Sequence, residues 1–145
     1  MHTTNYFDTF IEVASDTRMT QGTPPPLKGK KTVARLQYEF ISENPYQYSS
    51  DDILFHVYAE KNDTPSDKLE QTRILFFSKG QPCLRTSPLT KIYGFGIHCN
   101  SEGKVALYGM ETEGYRIFLA DSKIKKVKAM RSGREQQTKS NQKNL

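Results

Sequence analysis

A chain of 145 residues with 35% hydrophobic and 26% charged side chains has the size and composition of one globular domain, which argues against a disordered polymer or a two-domain protein. Its formal net charge of +5 sits at one end: residues 123–145 carry eight basic side chains against Glu135 alone, so residues 1–122 are slightly acidic. The body is therefore not a basic surface built to read phosphates.

Eight Tyr and eight Phe supply much of the apolar area available for a core. The opening residues lack the basic start and apolar run of a signal peptide, and no window approaches the roughly 18 apolar residues of a membrane span. A soluble, cytoplasmic protein is expected, with Cys83 and Cys99 reduced.

Residues 5–13 alternate, placing Tyr6, Asp8, Phe10 and Glu12 on one side of a predicted strand and Phe7, Thr9, Ile11 and Val13 on the core side. Residues 15–30, with Gly22 and the run Pro24, Pro25, Pro26, show no period and read as a surface loop. Val33, Leu36, Phe40 and Ile41 recur at helical spacing, which predicts a helix from Lys31 that Pro45 limits to about Glu43. Ser50, followed by Asp51 and Asp52, favours a helix over 50–61 with Ile53, Leu54, Val57 and Tyr58 inward. The alternation of Ile53, Phe55, Val57 and Ala59 keeps a strand open there.

Thr64 as a cap, Pro65 at the first position and Asp67 behind it predict a helix running to Lys79 and stopping at Gly80. The connector that follows is irregular, because Pro82 and Pro88 bias Gln81 and Ser87 toward extended backbone. Residues 92–110 read as a hairpin turning at 100–103, where Gly103 permits a positive φ. Gly94, Gly96 and Gly109 inside it indicate bulges or a close approach by another group. Residues 111–120 form a short amphipathic helix and 124–130 a closing strand with Val127 and Ala129 inward. The expected fold is α+β: a small, mostly antiparallel sheet of N-terminal strand, hairpin 92–110 and C-terminal strand, packed with three to four helices. Residues 1–132 form the domain and 133–145 a basic tail expected to be disordered.

Six segments carry a family resemblance: 2–6, 41–46, 77–85, 87–89, 93–98 and 128–132, which include Tyr6, Tyr46, Cys83, Arg85, Ser87, His98 and Arg131. Together they resemble a family of microbial proteins known only as a domain of unknown function. The likeness covers roughly residues 2–132 and implies a free-standing single-domain protein, with no activity, cofactor or catalytic residue to carry over. Cys99 departs from the pattern, which suits Ser or Asp there.

Cys83 is the candidate nucleophile, because Arg85 two residues on favours a thiolate and His98 on the hairpin is a candidate base. The plainer alternative is a structural thiol and a hydrogen-bonded histidine. Cys83, His98 and Cys99, with His2 or His56, lack the closely paired spacing of a zinc site, and adjacent strand residues point to opposite faces, so neither metal nor cofactor is expected. Lys79, Arg85, Ser87, Lys91, Tyr93 and Arg131 surround the connector and hairpin and are candidate ligands of a phosphate or carboxylate. The leading expectation is a non-catalytic binding module for a small anionic or polar ligand held between the connector, the hairpin and the N-terminal strand. A cysteine-dependent enzyme using Cys83, Arg85 and His98 is the alternative. Weak, non-specific nucleic-acid binding through the tail, with Tyr93, Phe95 and Tyr108 as stacking platforms, is the second.

Overall fold

A computed structural model describes residues 1–132 of the chain; the basic tail predicted over 133–145 lies outside the described residues. The elements are β1 (Thr9–Glu12), α1 (Val33–Glu43), α2 (Ser50–Lys61), α3 (Leu69–Phe76), α4 (Pro88–Lys91), β2 (Phe95–Cys99), β3 (Val105–Gly109), α5 (Glu113–Ala120) and β4 (Lys125–Lys128). None of the described helices is long and apolar enough to cross a membrane.

The α+β class holds, but the sheet is mixed rather than mostly antiparallel. Its order is β3-β2-β1-β4, with β1 and β3 antiparallel to β2 and β4 parallel to β1. Because β1 and β3 both oppose β2, they run the same way. A helical crossover lays the next strand parallel to the one before it. α5 is that crossover, and it returns β4 parallel to β1 at the far edge. There are also five helices among the described residues, one more than expected, because the connector contributes the single-turn α4.

Both sheet faces are covered. On one, Ile11, Ile97, Cys99 and Val105 pack with Ile41 of α1, Ile53 of α2, and Leu84 and Leu89 of the connector. On the other, Phe10 meets Tyr115 edge-on at 5.0 Å and Phe118 at 5.1 Å between ring centres. Phe10, expected on the outer side of its strand, is therefore fully buried, while Phe7 of the predicted core side is 55% exposed. Alternation marks the two sides of a strand correctly, but α5 buries the second side as well.

The inward face of α1 is Ala34, Gln37 and Ile41, one residue on from the predicted stripe, and Val33 lies at the surface. Residues 50–61 are helical. The cap is Ser49 rather than Ser50: its hydroxyl accepts from the Asp52 N–H while the Asp52 carboxylate accepts from the Ser49 N–H. Ile53 and Val57 point inward as expected; Phe55 joins them and Tyr58 is exposed. The helix predicted from Thr64 begins as a 3-10 turn at Ser66–Lys68, and α3 runs only over Leu69–Phe76, with no side-chain cap at its start.

The connector is ordered. A 3-10 turn at Leu84–Thr86 leads into α4, capped by the Ser87 hydroxyl on the Leu89 N–H. This turn and its buried Leu89 and Thr90 delay the first hairpin strand to Phe95. The hairpin ladder runs without a break from Phe95↔Gly109 to Cys99↔Val105, so its glycines mark close approaches rather than bulges. A Cβ on Gly96 would stand 2.5 Å from Phe10 Cζ, and Gly94 (φ +82°) lies under the carbonyl of Gln21.

Candidate functional site

The N-terminal strap places the first group. The Asp51 carboxylate, in the first turn of α2, accepts from the Thr3 hydroxyl, the Thr4 hydroxyl and the Thr4 N–H, each at 2.7 Å, while the Asn5 carboxamide oxygen accepts from the Asp51 N–H. The strap thus presents Tyr6, whose hydroxyl lies 3.3 Å from Cys83 Sγ. Burial and the neighbouring Cys83 raise the Tyr6 phenol above its ordinary value, and the Arg85 guanidinium acts against them. Cys83 also lines a hollow of about 200 Å³ with Gln37, Gln81 and Ser87.

His98 is not part of that group. It pairs with Phe10 across the sheet and so occupies the face under α5, with its ring stacked on Phe118 at 4.1 Å. Its Nδ1 lies 2.8 Å from the Tyr46 hydroxyl, which lies 2.8 Å from that of Tyr108. Burial lowers the His98 pKa, against the pull of Asp8 and Asp121. Leu84, next to Cys83, packs on the opposite face with Cys99. The structure brings Cys83 and Arg85 together around Tyr6 and leaves His98 across the sheet from them. Cys99 is fully buried, and burial pushes its thiol up to about 12. Both cysteines are free, and among the described residues no group of His, Cys, Asp and Glu side chains is placed to hold a metal ion.

The predicted anion-binding residues divide. Arg85 donates Nε–H to the Lys128 carbonyl at 2.6 Å, tying the connector to β4. Ser87 is buried and donates to Gln37 Oε1 at 2.5 Å. Tyr93 packs against the core, and its carbonyl accepts from the Thr23 N–H. Lys79 is exposed just beyond α3, and Arg131 is exposed beside Ser132. Lys91 alone of the six lines a larger cleft, of about 390 Å³, walled by residues 16–19, Ile92 and Ser132.

That cleft exists because the Ala14 N–H donates to the Thr90 carbonyl and draws the loop after β1 onto α4. It brings Arg18 to Lys91, and Ser132 closes it by donating from its N–H and hydroxyl to the Asp16 carboxylate at 3.4 and 3.3 Å. Among the described residues neither Arg18 nor Lys91 has an ion-pair partner. Arg18, Tyr6 and Tyr46 were not singled out by the sequence as site residues. Arg18 is one charge in a loop without period, and hydrogen bonds between residues far apart in the sequence, Ala14 with Thr90 and Thr23 with Tyr93, bring it to Lys91.

A model of a family of unknown function, DUF6157, matches residues 1–135. The chain belongs to that family. No curated protein and no solved structure matches it. The segments that carry the resemblance meet pairwise in this DUF6157 chain: Tyr6 with Cys83, Tyr46 with His98, and Arg85 with Lys128.

Proposed function

We propose that the protein is a non-catalytic binding module that takes a small anionic ligand, a phosphate or carboxylate compound, in the cleft between the loop after β1 and the end of α4. One observation carries the reading: Arg18 and Lys91, 73 positions apart in the sequence, line one cleft of about 390 Å³ without a partner for either charge among the described residues. Lys91 is half-buried and Arg18 exposed, and two cations beside the single Asp16 carboxylate, which Ser132 already engages, favour an anion that accepts charge-assisted hydrogen bonds. The volume falls at the small end of the range of small-molecule sites, roughly 300–1,000 Å³. Thr17, whose hydroxyl accepts from the Met19 N–H, adds a neutral donor at the rim.

The test is thermal unfolding with rising inorganic phosphate, citrate or adenosine monophosphate. A ligand bound only by the folded state raises Tm with concentration. The reading expects such a rise with at least one of them and its loss in Arg18→Ala and in Lys91→Ala. No rise with any, or an equal rise in both variants, overturns it.

A further inference from the structure

The hollow beside Cys83 differs in chemistry from the Arg18–Lys91 cleft and shares no lining residue with it. None of the residues lining it is charged, and Val33, Leu54, Phe76 and Pro88 give it apolar walls. At about 200 Å³ it lies below the roughly 300 Å³ at which small-molecule sites commonly begin, so it suits a very small, neutral molecule.

Two carboxamides line it, and the chain uses only half of each. Gln37 is 3% exposed, and its Oε1 accepts from the Ser87 hydroxyl. That hydroxyl already accepts from the Leu89 N–H, so its own hydrogen needs an acceptor. The requirement fixes the Gln37 oxygen beside Ser87 and turns the amide nitrogen away from it. Gln37 Nε2 has no acceptor among the described residues, yet no side-chain nitrogen or oxygen among them is sealed in protein without a partner. The nitrogen therefore opens on the hollow that Gln37 lines. Gln81 is the converse: its Nε2 donates to the Phe76 carbonyl at 2.7 Å, and its Oε1 has no donor among the described residues.

We propose that this hollow binds a small neutral amide, a lactam or primary carboxamide. Its carbonyl oxygen accepts from Gln37 Nε2, its N–H donates to Gln81 Oε1, and its hydrocarbon part lies on Val33, Leu54 and Phe76. An unpaired donor in an apolar hollow favours a ligand that supplies the acceptor. An amide carries acceptor and donor on neighbouring atoms and brings no charge to a lining without counter-charges. A carboxylate would lack the donor and meet no cation.

Two-dimensional NMR on the full chain tests it, with the lactam 2-piperidone as probe and cyclohexanone as a ring of the same size that lacks the N–H. Millimolar 2-piperidone gives saturable shifts of the Gln37 side-chain amide and of the backbone amides of Gln81, Cys83 and Thr86. Cyclohexanone binds about fivefold or more weakly, because it leaves Gln81 Oε1 facing a methylene. Gln37→Glu keeps the oxygen that Ser87 needs but removes the donor, and it abolishes the shifts. The comparison of lactam with ketone uses the wild type and stands whether or not that variant folds. No saturable shift with 2-piperidone, equal affinity for the two rings, or binding retained in a folded Gln37→Glu would each overturn the proposal.

Discussion

Tyr46 and His98 are joined by a hydrogen bond of 2.8 Å between the phenol and Nδ1, and Tyr46 makes it from a left-handed backbone at φ +59°. That conformation is unfavourable for a bulky residue, so the surrounding contacts must hold it. They include the Tyr46 N–H on the Val105 carbonyl and the Tyr108 hydroxyl on the phenol.

The pH dependence of stability follows from His98. Burial lowers its folded pKa below the ordinary value of 6.5, so in the window beneath 6.5 the unfolded chain binds a proton that the folded chain does not. The contribution of neutral His98 is full above that window and is lost as pH falls through the folded value. Between pH 7.5 and 5.0 the urea midpoint of the wild type drops further than that of His98→Gln. Equal drops in the two proteins contradict this account.

Gly96 is required by the rings that cover it. An alanine there would put its Cβ 2.5 Å from Phe10 Cζ and 2.6 Å from Tyr115 Cε2, and both rings are buried. Overpacking of this kind costs about 1–3 kcal/mol. Gly96→Ala lowers the urea midpoint accordingly with an unchanged m-value, and an unchanged midpoint would show that the rings yield freely.

How much the sequence revealed depends on the range of the interaction concerned. The helical spacing around Ile41, the caps near Asp52 and the glycine of the hairpin turn act within a few residues, and the elements they mark are present. Errors of one residue, such as Ser50 for Ser49 or Val33 for Ala34, come from rival polar or apolar neighbours that only packing separates. The direction of β4 was not legible, because it depends on α5 crossing the sheet, and neither was the burial of Phe10 under α5. Lys91 was picked out by its charge, whereas Arg18 was missed because long-range hydrogen bonds such as Ala14–Thr90, which the sequence does not announce, bring its loop to α4. Cys83 and His98 looked like partners because both are reactive types on nearby elements. Alternation along β2 sends His98 to the other face.

Ser87 and Gln37 form a buried pair whose two halves depend on each other. Ser87→Ala leaves the Gln37 carboxamide oxygen without its donor, which costs about 1–3 kcal/mol. In denaturant unfolding, the loss in Ser87→Ala combined with Gln37→Leu is smaller than the two single losses added. Strict additivity would show that the hydrogen bond contributes nothing.

The cap found at the start of α2, Ser49 in place of the expected Ser50, and the cap expected at Thr64 differ in what they do. Ser49 closes a reciprocal capping box with Asp52, whereas the Thr64 side chain caps nothing. Ser49→Ala therefore costs about 1 kcal/mol, and Thr64→Ala leaves the unfolding midpoint within error of the wild type. Equal losses from the two would contradict the assignment of the α2 start. Burial works against ionisation of Asp52, yet the Ser49 N–H and Arg73 outweigh it and hold the carboxyl below its usual range, so this cap weakens as pH falls through that lowered value.

Anion binding at the Arg18–Lys91 cleft is tested most directly by following backbone amides in a two-dimensional NMR titration with inorganic phosphate. Saturable shifts centred on residues 16–19, 91–92 and 132, abolished in Lys91→Ala, are the predicted result. Shifts confined to the hollow beside Cys83, or no saturable shift at any amide, would contradict it.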